Sequence, residues 1–193
     1  MNKSYIPRKE SIVITAIEII DELGIHELST REIARRQGVS DASLYRHFNS
    51  KQDILLEVLD YYSNYDTFII NTIEQKNTPF KEKIIQFFKS YAEYYENYPA
   101  IIAVGLSHSV FLYDKLLSNK FNHILDTRSK FLQKLISSGQ IENSINKKIT
   151  VDILCHILQG TFNDITLNWR INGCSFPLKE KIIESMEMVL NNL

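Results

Sequence analysis

Glycine and proline are scarce, at six and four of 193 residues. Folds that turn often need both, so their scarcity argues for long, uninterrupted helices and an all-α chain. Cysteine is nearly missing: Cys155 and Cys174 are too few for a disulfide framework and lack metal-ligand spacing, so reduced thiols are expected. No apolar run approaches the length of a membrane span, and the opening Met-Asn-Lys-Ser-Tyr-Ile-Pro has no signal-peptide core, so a cytoplasmic protein without a membrane partner is expected. A phosphate-cradling glycine loop is absent, and His108, His123 and Asp164 cannot be placed with a nucleophile, base and orienter. An enzyme is therefore not expected, nor a cofactor or resident metal. Asp152 and His156 have i,i+4 spacing but no third ligand in register. Excess positive charge is missing too. The net charge is -1, and the first 60 residues hold eight Lys or Arg against ten Asp or Glu, so total charge does not announce a nucleic-acid partner.

What is present is helical periodicity in a chain that is 44% hydrophobic and 23% charged. Ile12, Val13, Ala16, Ile17, Ile20 and Leu23 predict a helix over about 8–23, closed by Gly24. From the cap Ser50, the pattern Ile54, Leu55, Val58, Leu59, Tyr62, Tyr65, Ile69, Ile73 predicts one long helix to about Gln75, a natural mechanical connector. Further helices are expected from Thr78-Pro79 to about Asn97, from Val110 to Leu117, from Phe121 to Ser138 stopped by Gly139, from Thr150 to Trp169, and from Leu178 to about Leu190. Gly160, within the fourth of these, costs about 1 kcal/mol in helix propensity, which a close helix neighbour would offset.

Residues 29–51, STREIARRQGVSDASLYRHFNSK, hold two short helices joined at Gln37-Gly38-Val39-Ser40. Ser29 with Glu32 has capping-box spacing; Ser40 caps the second helix, which turns Leu44 and Phe48 inward. Such a unit is a helix-turn-helix in outline, whose second helix fits the DNA major groove. Small Ala42 and Ser43 permit close approach, and Tyr45, Arg46, His47 and Lys51 are donors suited to phosphates. The same spacing also fits a plain helical hairpin with a charged, solvated face.

The runs Ser29-Thr30-Arg31-Glu32-Ile33-Ala34, Gly38-Val39-Ser40, Ser43-Leu44-Tyr45-Arg46-His47-Phe48 and Ser50-Lys51 closely resemble the DNA-binding signature of the tetracycline-repressor (TetR/AcrR) family. The resemblance covers roughly the first third of the chain. It implies a three-helix helix-turn-helix head at 1–50, joined by the long helix to a helical effector-binding and dimerisation domain at 51–193. It also implies a double-stranded operator read by Thr30, Arg31, Arg36, Ser40, Asp41, Ala42, Ser43, Tyr45, Arg46, His47 and Lys51.

By the same resemblance, the protein is expected to be a homodimeric, ligand-responsive transcriptional regulator: a repressor released from a palindromic operator by a small, largely apolar effector. The helices at 121–138 and 150–169 are assigned to the dimer. The effector pocket is expected among Tyr62, Tyr65, Phe87, Tyr91, His108, Phe111, Asn163 and Trp169, with Phe68, Tyr94, Tyr113 and Asp164 nearby. Aromatic residues at helical spacing serve a plain core equally well. The rival function is a DNA-binding architectural or division-linked factor that works through a protein partner without a small-molecule effector.

Overall fold

In the computed structural model, residues 6–192 are described, and among them every regular element is a helix. The Met1 to Tyr5 part of the opening stretch lies outside the described residues. In order, the helices are α1 (Arg8–Leu23), α2 (Thr30–Gln37), α3 (Asp41–Leu44), α4 (Lys51–Ser63), α5 (Asp66–Glu74), α6 (Phe80–Asn97), α7 (Ile101–Leu106), α8 (His108–Phe111), α9 (Lys115–Ile141), α10 (Val151–Ile171) and α11 (Leu178–Asn192).

The chain divides into two compact units, and the division does not follow the expected boundary at residue 50. The first comprises residues up to Asn64 together with Ala100–Ile124; the second comprises Tyr65–Pro99 and the chain from Leu125 onward. The reason lies in α1. Its apolar residues are buried on two sides, Ile19 as completely as Ile12 and Ile17, because α1 packs against α2, α4 and α7. Thus α4 and α7 complete the core of the head. Leu23, expected in that core, is exposed at the last position of α1.

The long connector helix is also corrected. Residues 51–74 form two helices, α4 and α5, interrupted at Asn64-Tyr65. There the Asn64 N–H turns back to the Tyr61 carbonyl, an i to i−3 bond, and Tyr65 stands at the N-cap of α5 without a side-chain capping bond. The interruption coincides with the boundary between the units.

Other bounds shift for local reasons. Pro79, rather than Thr78, stands at the N-cap of α6. The two segments expected at 110–117 and 121–138 become α8 and the 27-residue α9. Gly139 does not stop α9. It lies inside the helix, where a Cβ would stand 2.5 Å from Ile145 Cδ1 and 3.0 Å from Phe80 Cβ, so its value is close packing. At Gly160 the opposite holds, since among the described residues a Cβ there would meet nothing within 4 Å and no close neighbour offsets its cost.

In the second unit α6 packs against α5 and α11, and α10 packs against α11. Phe87 meets Phe131 at 5.6 Å and Phe88 meets Phe162 at 5.4 Å between ring centroids. A charged pair is set into this aromatic core. Arg128 Nε donates to Asp66 Oδ2 at 2.9 Å and Nη2 to Oδ1 at 3.0 Å; the Tyr91 hydroxyl donates to Oδ1 at 2.8 Å. The guanidinium also lies 4.7 Å from the Tyr91 ring centroid. Asp66 and Arg128 are only 6% and 9% exposed, so the low dielectric makes each dependent on the other. Replacing Arg128 by Met should cost about 3–5 kcal/mol by leaving the carboxylate buried and unpaired. Tyr91→Phe should cost about 1–3 kcal/mol, and urea unfolding of the three proteins checks both values.

Candidate nucleic-acid interface

Ser29 caps α2 by accepting the Glu32 N–H at 3.2 Å, as its spacing predicts. The reciprocal half of the capping box does not form, because the Glu32 carboxylate is taken by cations of its own helix. Arg35 Nε donates to Oε2 at 2.8 Å and Arg35 Nη2 to Oε1 at 2.7 Å, while Arg36 Nε reaches Oε1 at 2.9 Å. Bonds from Arg35 first, then Arg36, hold the Glu32 carboxyl down at about 2. The depressed value means that this network is complete above the ordinary carboxylate range and is lost only as pH falls through about 2.

Arg36 also pairs with Glu22 of α1 at 2.7 Å, and its side chain is 20% exposed. Of the residues assigned to DNA, Arg36 is thus the one already committed to holding α2 on α1. Gln37 adds to that join, donating to Thr15 Oγ1 at 2.6 Å and to the Ser11 carbonyl at 3.2 Å.

The turn is set by Gly38, at φ 64° and ψ 36°, the left-handed region that favours glycine. Gly38 N–H bonds to the Arg35 carbonyl and Val39 N–H to that of Ala34, closing the end of α2. Ser40 then caps α3, accepting the Ser43 N–H at 3.3 Å. With only four residues, α3 is shorter than the recognition helix that the sequence suggests, and residues 45–47 continue as turns. Leu44 and Phe48 are buried, whereas Asp41, Ala42, Tyr45, Arg46 and His47 are exposed. Arg46 Nη2 is steadied by Ser43 Oγ at 3.0 Å.

Ser50 caps α4 by accepting the Asp53 N–H at 3.1 Å, and the Asp53 carboxylate takes the Asn49 N–H at 3.0 Å. This reciprocal cap fixes the chain direction just after Phe48 and leaves Lys51 exposed in the first turn. Thr30 is half-buried at the start of α2, and Arg31 is exposed one residue later.

The eight effector candidates are divided between the two units. Tyr62, His108 and Phe111 belong to the first unit; Tyr65, Phe87, Tyr91, Asn163 and Trp169 belong to the second. Phe111 is fully buried, with its ring 5.4 Å from Phe121, while His108 and Asn163 are exposed. Tyr65 packs edge-on to Tyr94 at 4.8 Å, and the Trp169 indole N–H donates to the Phe176 carbonyl at 2.8 Å. Nearby, Phe68 and Tyr113 are exposed, the latter at 94%. His156 and Asp152 are 3.5 Å apart on the exposed face of α10, and no group of three or more potential metal ligands occurs among the described residues.

Sequence reasoning missed the long-range polar contacts, two of which matter most for the architecture. One is the Asp66–Arg128 pair; the other joins Gln52 Nε2 to Asp114 Oδ2 at 2.6 Å within the first unit. A signal for the former was available: Asp66 falls on the apolar register Tyr62, Ile69, Ile73, and Arg128 on that of Ile124, Phe131 and Leu135.

Comparison with known proteins agrees with this geometry. The model for bacterial regulatory proteins of the tetR family matches residues 12–58, and that for the C-terminal region of YsiA-like proteins matches residues 69–192. The fatty acid metabolism regulator protein of Bacillus subtilis is 22% identical over 97% of this chain and 96% of its own length. The nucleoid occlusion factor SlmA of Vibrio cholerae is 23% identical over 80% of each chain. Among solved structures, the transcriptional regulator FadR from Bacillus subtilis in complex with stearoyl-CoA has a TM-score of 0.81 at 21% identity, covering 95% of this chain and 98% of that one. Together with a capped helix-turn-helix that presents its donors outward, these matches place the chain in the tetR family of bacterial regulatory proteins, as a DNA-binding transcriptional regulator.

Proposed function

We propose that the protein is a homodimeric repressor that leaves a palindromic operator when it binds a largely apolar effector of the long-chain acyl-CoA class. The observation that carries the DNA half is the sorting of side chains at the recognition turn, with Leu44 and Phe48 buried and Tyr45, Arg46, His47 and Lys51 outward. The effector class is suggested by the fatty acid regulator of Bacillus subtilis and by the stearoyl-CoA complex of FadR. Aromatic side chains such as Phe87, Tyr91 and Phe131 supply apolar surface of the kind an acyl chain needs.

The dimer would form through α10 and α11, not through α9 and α10. In α9 the residues Phe131, Leu132, Leu135 and Ile136 are spent on the core of the second unit. By contrast α10 leaves Ile153, Leu167 and Ile171 exposed, Gly160 has open space over it, and α11 leaves Met188 exposed. Between α10 and α11 runs a groove of about 620 Å³ lined by Ile165, Phe176 and Pro177 with a charged rim. An apolar helix face of this kind suits a two-fold contact with a second copy, and a two-fold dimer suits a palindrome.

Titration of the protein onto a labelled operator duplex, with and without stearoyl-CoA, tests the reading. The complex should dissociate as stearoyl-CoA rises, and an unmoved isotherm would refute the effector class. In the same assay Lys51→Ala should flatten the dependence of log affinity on log salt by roughly 0.9, one phosphate contact. Arg36→Ala should leave that slope unchanged and instead lower the thermal midpoint, since its guanidinium is held by Glu22 and Glu32.

A further inference from the structure

Along α10, in the second unit, Ile153, Ile157, Gly160, Asp164, Leu167 and Ile171 are all exposed and follow one another at alternating steps of four and three residues. That spacing is the seam of a helix pair. Gly160 lies within it, and among the described residues nothing stands within 4 Å of where its Cβ would be. The distance between two packed helices is set by the side chains at their contact, so a second helix can come closest at this glycine.

In a two-fold contact between copies, the direction of the helices decides which residues meet. Parallel copies would set Asp164 against Asp164 of the second copy, two like charges at the contact. Antiparallel copies crossing at Gly160 pair residues equally far from it on either side. Ile153 then opposes Leu167 of the second copy, each seven residues from Gly160, and His156 opposes Asp164 of the second copy, each four residues away. Apolar groups face apolar groups and an imidazole faces a carboxylate, so charge complementarity favours the antiparallel pair.

His156 brings a further carboxylate with it. Its Nε2 stands 3.5 Å from Asp152 Oδ1, and the two side chains are 75% and 71% exposed. That separation is long for a hydrogen bond. It is close to the spacing of two ligands on a tetrahedral zinc ion, about 3.3 Å for metal bonds of about 2.0–2.1 Å. On the other half of the helix, Asn168 Nδ2 donates to Asp164 Oδ2 at 3.1 Å and so orients that carboxylate. Within one chain, the described residues hold no group of three potential metal ligands. The antiparallel pair supplies the third from the second copy.

We propose that the dimer carries two equivalent sites for a divalent transition-metal cation of the zinc type, each made by Asp152 and His156 of one copy and Asp164 of the other. Asn168 is the positioning residue, and water takes the fourth place. The proposal rests on the dimer through α10 proposed above. An imidazole among carboxylates suits zinc better than calcium or magnesium, which take oxygen ligands. Because the site is incomplete in a single chain, cation and dimer stabilise each other by mass action.

The test uses the full chain with zinc chloride as the only probe, in calorimetric titration and sedimentation velocity. Two zinc ions should bind per dimer, and saturating zinc should tighten the dimer about tenfold or more. His156→Ala and Asp164→Ala should each weaken zinc binding about tenfold or more, and because both side chains are exposed the fold should survive either change. The mixed dimer of these two variants, purified through two different tags, keeps one complete site and should bind one zinc ion with natural affinity. Cobalt in place of zinc should give the visible spectrum of a four-coordinate site without a thiolate charge-transfer band. Zinc binding that Asp164→Ala leaves unchanged, a mixed dimer no better than its parents, a thiolate band from Cys174, or no zinc binding by a dimer that forms without it would each overturn the proposal and leave the dimer reading standing. A chain that stays monomeric with and without zinc would overturn both.

Discussion

The recognition segment of this regulator cannot hold its own shape, and the head depends on that constraint. A four-residue helix closes too few hydrogen bonds to repay its nucleation, so α3 exists only because its neighbours hold it. Burial of Leu44 and Phe48 fixes its rotation, the Ser40 and Ser50 caps fix where the chain enters and leaves, and Gly38 supplies the left-handed turn before it. The outward direction of Tyr45, Arg46 and His47 is a consequence of those anchors. Near-zero net charge is then no obstacle, because a few donors held in place set register on phosphates without a large basic surface.

Acidic residues within the head have a related role. Glu32 engages Arg35 and Arg36 within α2, and Glu22 takes Arg36 across to α1, fastening the two helices. That fastening separates the arginines of the signature into those that build the head and those left to face a partner, a separation that spacing alone could not make. In the second unit the Asp66–Arg128 pair has a comparable organising place. A buried ion pair is a poor source of net stability compared with packed apolar groups, so its presence fits a role in specifying one arrangement of α5 and α9.

Much of this was legible in the sequence, in proportion to how local the determining physics is. Caps at Ser29, Ser40, Ser50 and Thr150, the glycine closures at 24 and 38, and the inward pair Leu44 and Phe48 follow from neighbours within four residues, and all appear as expected. The interruption at Asn64-Tyr65 carried no proline or glycine to mark it, since apolar periodicity runs straight through it. Gly139 looked like a stop because its close neighbours, Phe80 and Ile145, are invisible until the chain is folded. Likewise the assigned effector residues proved to be divided between two compact units, a partition set by the second face of α1 and its packing on α7. Periodicity marks Asp66 and Arg128 as inward-facing, but that the two meet across 62 residues is beyond any periodicity argument.

The central claim is that two copies of this head read one palindrome, and nuclease footprinting on the DNA upstream of the protein's own gene tests it most directly. The account predicts protection of two inverted half-sites whose centres lie about one helical turn, or a multiple of it, apart. Absence of any protected palindrome at moderate salt, or protection of a single isolated half-site, would contradict it.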